Sequence, residues 1–304
     1  MPPLVRVRFE AEGAWDKLKL DGEAVELLLG AWLELATGKH SVVAFRGRYI
    51  AAANFDLPAG GSVTSTLSWR PWKPDPAKYI LMPAATASLG SKAYGEHNPP
   101  RSVQLAAFWI GRTEVTVAEY RACVEAGQCR IPGTGKNCNW NGKDRERHPI
   151  NCVSASDAKS YADSLSRREG LKYRLPTPDE WERATRGTTG KRYPWGDDPS
   201  LQRCNGCDRS CQRLWARDDN DGWETTSPVG ALSRCKGPEE VYDLVGNVAE
   251  WCQDGVSDGK YEVRGGSWDQ MDAFLEPANR KEQSKDDRES TIGFRLVVTD
   301  PQDP

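Results

Sequence analysis

From Gly187 to Arg264 the chain carries almost no helical or strand period, yet it is dense in Gly, Pro, Asp, Asn and Trp. A compact domain rarely tolerates so long an irregular stretch unless covalent links or bound ions pin it. That demand constrains the fold more than any other feature. The stretch holds Cys204, Cys207, Cys211, Cys235 and Cys252; Cys123, Cys129, Cys138 and Cys152 precede it, and residues 1–122 have none. Nine cysteines in loop-rich sequence suit disulfides and an oxidising compartment. Cys204-Asn-Gly-Cys207-Asp-Arg-Ser-Cys211 with Cys235 is also compatible with zinc, although CxxC followed by CxxxC is not a regular two-knuckle spacing. Both readings stay open. The odd count leaves a thiol unpaired, and Cys252, inside an apolar stretch, is expected to be buried.

Clearer local signals lie on either side. Residues 1–70 read as strands: VRVRF alternates, and SVVAF, YIAAANF and SVTSTLSW follow, with Asp21-Gly22 and Pro58 to Gly61 as turns. The pattern predicts a small all-β sandwich. Residues 71–78 read as a linker, because the prolines of RPWKPDP oppose helix and sheet alike. Beyond it, Phe108 to Val115 reads as a strand. Thr116-Val-Ala-Glu119, Ser154-Ala-Ser-Asp157 and Thr177-Pro-Asp-Glu180 each cap a helix start. In the second of these helices Ala158, Tyr161, Ala162 and Leu165 share one face and Gly170 stops it. A net charge of −3 argues against general nucleic-acid binding. No apolar run approaches the ~18 residues of a membrane span. The start, MPPLVRVRF, has no signal-peptide apolar region, so the compartment stays unassigned, with cysteine content favouring the outside.

Several motifs occur in an order that belongs together: Leu89-Gly-Ser91, Glu114-Val-Thr116, His148-Pro-Ile-Asn151, Tyr173 to Trp181, Tyr193-Pro-Trp-Gly196 and Ser227-Pro-Val-Gly230. Asp243 to Trp251, Arg264-Gly-Gly-Ser-Trp268 and Ile292-Gly-Phe-Arg295 complete the set. Over about residues 79–298 the chain resembles the formylglycine-generating enzyme, or sulfatase-modifying factor, family. That resemblance implies an α+β domain with a C-type lectin fold over residues 79–304. The N-terminal region loosely resembles a PEGA-type accessory module through Gly13, Ala14, Leu18, Leu20, Asp21, Gly22 and the turn Gly38 to Val42. Fold alone does not settle function.

Copper(I) oxidases of this family use two soft thiolates. The matching positions here hold Gln270 and Leu275, and no Cys follows Cys252, so no copper is expected. The related iron-dependent sulfoxide synthases need clustered imidazoles, whereas this chain has only His40, His97 and His148, so no iron is expected. Ser267 lacks the His and the elbow of a nucleophile and reads as a frame residue. The resemblance that remains is to the variable proteins of diversity-generating retroelements, which keep a fixed C-terminal frame while selected positions mutate. The frame in 264–295 is Arg264 to Trp268, Leu275, Ala278 to Arg280, Asp286, Arg288 and Ile292 to Arg295. Between these lie Asp269, Gln270, Met271, Ala273, Phe274, Lys281, Glu282, Gln283, Ser284, Asp287, Glu289, Ser290 and Thr291, the candidate ligand-binding positions. Gly-Gly permits tight turns and Trp and Phe anchor the segment, leaving the intervening side chains free to change. The expected function is non-catalytic binding of a protein or surface ligand. A fixed pseudoenzyme scaffold, or an enzyme of the family, is the alternative.

The resemblance also implies structural calcium. One site would use side chains of Asp243 and Glu250 with carbonyls of Gly246 and Val248. The other would use Asn205 and Asp221 with carbonyls of Gly206 and Trp223. Oxygen donors in irregular backbone suit Ca²⁺.

Overall fold

The computed structural model describes residues 3–299 apart from 22, 28, 47–48, 61, 72, 201–203, 212 and 254–258. Gly22, Gly61 and Trp72 of the sequence reading therefore lie outside the described residues. The chain forms two compact units. The first comprises residues 1–74, 163–173 and 299–304; the second comprises 75–162 and 174–298. The boundary falls at Pro74, inside the segment read as linker. The first unit also takes in residues 163–173, which the sequence reading had placed with the lectin-like part.

In the first unit, strands β1 (Leu4–Ala11), β2 (Lys17–Leu20), β3 (Glu23–Val25), β4 (Trp32–Ala36), β5 (Gly38–Arg46), β6 (Tyr49–Leu57), β7 (Ser62–Leu67) and β8 (Arg70–Pro71) build two sheets. Their orders are β4-β1-β7 and β3-β2-β5-β6-β8. Alternation in β1 buries Val5, Val7 and Phe9 on one face, where they join Leu18, Leu20, Val42, Ala44, Ala51 and Leu57 of the other sheet. The expected sandwich is present. The expected linker is not wholly irregular: Arg70 and Pro71 pair with Ile50 and Tyr49 as a short edge strand, the position in a sheet where proline is tolerated.

Beyond residue 74 the chain runs through β9 (Tyr79–Met82), the hairpin β10 (Ala85–Leu89) and β11 (Arg101–Leu105), and β12 (Phe108–Gly111), followed by helices α1 (Val117–Glu125) and α2 (Ala155–Glu169), the last of which passes from the second unit into the first at residue 163. Next come β13 (Lys172–Arg174), α3 (Pro178–Arg186), β14 (Ala249–Cys252), β15 (Lys260–Arg264), β16 (Lys281–Ser284), β17 (Ile292–Gly293) and β18 (Val297–Thr299). The strand read as Phe108 to Val115 ends at Gly111, where the chain leaves the sheet toward the Thr116 cap. Thr116 and Thr177 make complete capping boxes with Glu119 and Glu180, and Pro178 occupies the first turn of α3. Ser154 and Asp157 exchange hydrogen bonds at the head of α2. Trp181 and Ala184 of α3 pack with Met82, Phe108, Ile110, Val241, Leu244 and Val297.

Four disulfides link Cys123–Cys129, Cys138–Cys152, Cys204–Cys235 and Cys207–Cys211. Cys252 is the free, buried thiol. The pairing decides between zinc and disulfides: Cys204, Cys207, Cys211 and Cys235 are consumed as two bridges that staple the irregular stretch. The sheet β16-β15-β14-β17 carries the C-terminal segment. One of its strands, β16, was not foreseen, because Lys281–Ser284 has no apolar period; backbone pairing with β15 makes it a strand regardless.

Candidate functional site

The Arg264–Arg295 segment is held from below by charges that are buried and paired. Arg264 donates from Nη2 to Glu182 Oε2 (2.6 Å) and from Nη1 to Glu262 Oε1 (2.7 Å). Glu182 also pairs with Arg186, and the other oxygen of Glu262 takes Arg280. The result is an alternating ladder, Arg186–Glu182–Arg264–Glu262–Arg280, running from α3 through β15 into the segment. Burial alone would push the Glu182 carboxyl up, but Arg264 and donors from Gly90 and Asn98 hold it down at about 2. Arg264 further donates to Pro277 O and Asn98 to Ala278 O, which tie down the middle of the segment. At the far end Arg295 grips Glu250 through Nε (2.6 Å) and Nη2 (2.7 Å) and reaches the carbonyls of Gly111 and Tyr242. Arg288, itself exposed, is moored to Asp157.

Above this base the frame is buried at Arg264–Trp268, Leu275–Ala278 and Ile292–Arg295, and each of the thirteen candidate positions is half-buried or exposed. The two glycines make the approach possible. A Cβ on Gly265 would lie 3.0 Å from Trp181, and one on Gly266 would lie 2.6 Å from Leu275 and 3.0 Å from Gln270 Oε1. Gln270 and Leu275 therefore converge on Gly266, which brings together the two positions expected to hold thiolates in an oxidase.

A cleft of about 480 Å³ opens over these residues. Of the candidate positions, Asp269, Gln270, Met271, Phe274, Lys281 and Thr291 line it; Ala273, Glu282, Gln283, Ser284, Asp287, Glu289 and Ser290 do not. Gln283 instead donates to Asp287 and Glu289 (both 2.6 Å), a polar knot beside the cleft. The frame contributes Gly265, Gly266, Ser267, Asn279 and Ile292 to the lining. Sequence reading missed one wall altogether: Trp215, from the irregular stretch. Its ring nitrogen donates to Asp269 O (3.3 Å), and neighbouring Arg213 holds the Asp269 carboxylate with two bonds of 2.7 and 2.8 Å. The available signal was the aromatic flanked by Arg213 and Arg217 in otherwise acidic sequence.

The two oxygen clusters differ. Asn205 and Asp221 are each buried enough to leave an oxygen, Oδ1 and Oδ2, without a hydrogen-bond donor. Burial, with neighbouring Asp208 adding its charge, pushes Asp221 up to about 7. Orphaned acceptors of this kind fit a cation. Asp243 and Glu250 sit in a buried group with Glu114, but there both Glu250 oxygens are taken by Arg295, and Trp181 Nε1 adds a bond of 2.9 Å. Gly230 N–H donates to Asp243. The positive charge that balances this group is already a guanidinium. Among the described residues no group of three or more His, Cys, Asp or Glu side chains is placed to hold a metal by itself. His148 is buried against Thr226 and Arg145 and pushed down to about 4 by burial and then by Arg145; His40 bonds Asp21 and Ala36 O.

Among the described residues, three small sheets, three α-helices and a long stapled loop region, with an accessible cleft on a largely buried C-terminal frame, define a C-type lectin fold of the formylglycine-generating type. The chain belongs to the family described as the sulfatase-modifying factor enzyme 1-like domain, whose profile matches residues 66–300. The formylglycine-generating enzyme of Thermomonospora curvata is 36% identical over 113 residues, covering 36% of this chain and 35% of that protein. The inactive C-alpha-formylglycine-generating enzyme 2 of Bos taurus is 33% identical over 168 residues, covering 51% and 52%. The chain thus spans about a third to a half of these relatives. Among solved structures, PvdO from Pseudomonas aeruginosa superposes with a TM-score of 0.60 at 25% identity, covering 72% of this chain and 93% of that one. Treponema denticola variable protein 1 superposes at 0.58 and 22%, covering 72% and 94%, a likeness of fold. No helix among the described residues is long and apolar enough to cross a membrane.

Proposed function

We propose that this chain is a non-catalytic display protein that binds a partner through the cleft and its rim, residues 269–291. The carrying observation is the division of the segment: its frame is buried at Arg264–Trp268, Leu275, Ala278 and Ile292–Arg295 and charge-paired through Arg264, Arg280, Arg288 and Arg295, and the mixed residues between stay accessible. Such a surface can change side chains with little effect on folding, as binding loops on a rigid scaffold do. A relative named as an inactive formylglycine-generating enzyme lends support by name, and a variable protein shares the fold. Gln270 and Leu275 do not fit copper(I), since an amide and an alkyl chain offer no soft thiolate. Diversification by a retroelement is part of this reading, as is an extracytoplasmic home for a chain with four disulfides. Asn205 and Asp221, with the carbonyls of Gly206 and Trp223, would hold a structural calcium ion that neutralises the Asp221–Asp208 pair.

The test is a library randomised at Asp269, Gln270, Met271, Phe274, Lys281 and Thr291, displayed and selected on an immobilised unrelated protein such as lysozyme. Folded clones in the majority, with binders among them, are expected. A majority of unfolded clones overturns the reading. Conversion of a cysteine peptide to formylglycine with added copper would overturn the non-catalytic part. A near-copy of the 264–295 coding segment beside a reverse transcriptase gene, differing at adenines, would establish diversification.

A further inference from the structure

The cleft's own chemistry goes further than the display reading on which it rests. Its apolar members are unusually exposed for their size: Trp215 by 45%, Met271 by 40% and Phe274 by 49%, with Leu214, next to Trp215 in the chain, at 104%. Clustered exposed aromatic and Met side chains mark the anchoring part of protein interfaces. Leu214 is exposed next to Trp215 in the chain but lies outside the cleft lining. The charges decide what accompanies an apolar group. Asp269 is neutralised by the two bonds from Arg213, which leaves its carboxylate no demand for a ligand cation. Lys281 also lines the cleft, opposite Val263 across the β15–β16 pair, and no described carboxylate lies within ion-pair distance of its ammonium. Among the described residues that line the cleft, the charge left without an opposite partner is therefore one cation.

We infer that the cleft receives a large apolar side chain with an adjacent carboxylate, presented by a protein partner. Trp215, held by Asp269 O and standing outside the 264–295 segment, is the fixed wall against which that side chain packs. Lys281 is the specificity-determining residue that selects the acidic neighbour.

Cyclic heptapeptides of one backbone, presenting Phe-Glu, Phe-Lys or Ala-Glu at their tip, test this by calorimetric titration against the full chain. N-acetylphenylalanine serves as the small-molecule probe. Phe-Glu is expected to bind about tenfold more tightly than the other two peptides. Lys281→Glu is expected to reverse the Glu-over-Lys preference, and Trp215→Ala to weaken Phe-Glu binding by about tenfold. Trp215→Phe, which keeps an aromatic wall, is expected to retain most of it and guards against a folding defect. Equal or better binding of Phe-Lys, lost with Met271→Ala, overturns the acidic partner and leaves the display reading intact. N-acetylphenylalanine binding as tightly as the Phe-Glu peptide overturns the protein partner in favour of a small molecule. Binding that ignores Trp215, Met271 and Phe274 alike, or that no peptide shows, overturns the inference. Should the randomised library also fail, the display reading falls with it.

Discussion

Beneath the C-terminal segment lies a row of charges, buried at Arg186, Glu182, Arg264 and Glu262 and half-buried at Arg280; above it lie a Trp, a Met and a Phe left half in water. This reverses the usual allocation of polar and apolar groups. The ladder is tolerable because each charge has an opposite neighbour: Glu182 between Arg186 and Arg264, Glu262 between Arg264 and Arg280. The rim is tolerable because the stapled loop and the frame hold it in place without needing its side chains. What the contrast teaches is a division of labour. Stability is concentrated in partners that cannot be changed singly, so the rim, Asp269 with its bonds to Arg213 apart, is released from structural duty.

The sharpest way to break that contrast is to remove the middle of the ladder. Arg264→Met removes the cation between Glu182 and Glu262, leaving only Arg186 and Arg280 at the two ends of the ladder, and is expected to cost about 3–5 kcal/mol in chemical denaturation. A loss no larger than that of a surface mutation would mean the ladder is ornament. The same ladder has an acid limit. Glu182 titrates near 2 in the folded chain against 4.5 when free. A depressed carboxyl stabilises fully above its unfolded value, so this contribution is complete above pH 4.5 and is lost as pH falls toward 2. Melting temperatures across that range should fall more steeply for the parent chain than for Glu182→Gln.

Calcium probes the stapled loop that supplies the Trp215 wall. With the ion at roughly a hundred times its Kd, a gain of about 2.7 kcal/mol over chelator-treated protein is expected, and Asp221→Asn should abolish most of it. Identical melting curves with calcium and with chelator would remove the ion from the proposal. The smallest effect belongs to the rim. Met271→Ser, Phe274→Ser and Lys281→Ser should each change stability by no more than about 0.5 kcal/mol while altering binding. Any of them that melts the protein places that side chain in the core and ends the contrast there.

Much of the framework could be read without coordinates, because it rests on neighbours in the chain. The capping boxes at Thr116 and Thr177 need only residues three apart, and the alternation of Val5, Val7 and Phe9 needs only a strand's period. The buried ends of the 264–295 frame, Arg264–Trp268 and Ile292–Arg295, and the lone thiol of Cys252 were legible for similar reasons: a Gly pair, large aromatics and an odd cysteine count. Strand β16 was not, since its polar residues pair through backbone alone. The Arg70–Pro71 edge was hidden by its proline.

The amino-acid order by itself therefore determined the helices, the sandwich alternation, the family resemblance and the candidate positions between the frame residues. Tertiary structure decided which of them share a cleft, how the cysteines pair, and that Trp215, 54 residues before Asp269, forms a wall beside it. It also decided that Asp269 is spoken for while Lys281 is not. The reason is physical: a cap or a period is written in adjacent residues. Burial, charge balance and cavity shape belong to atoms that meet only after distant parts of the chain have closed on one another.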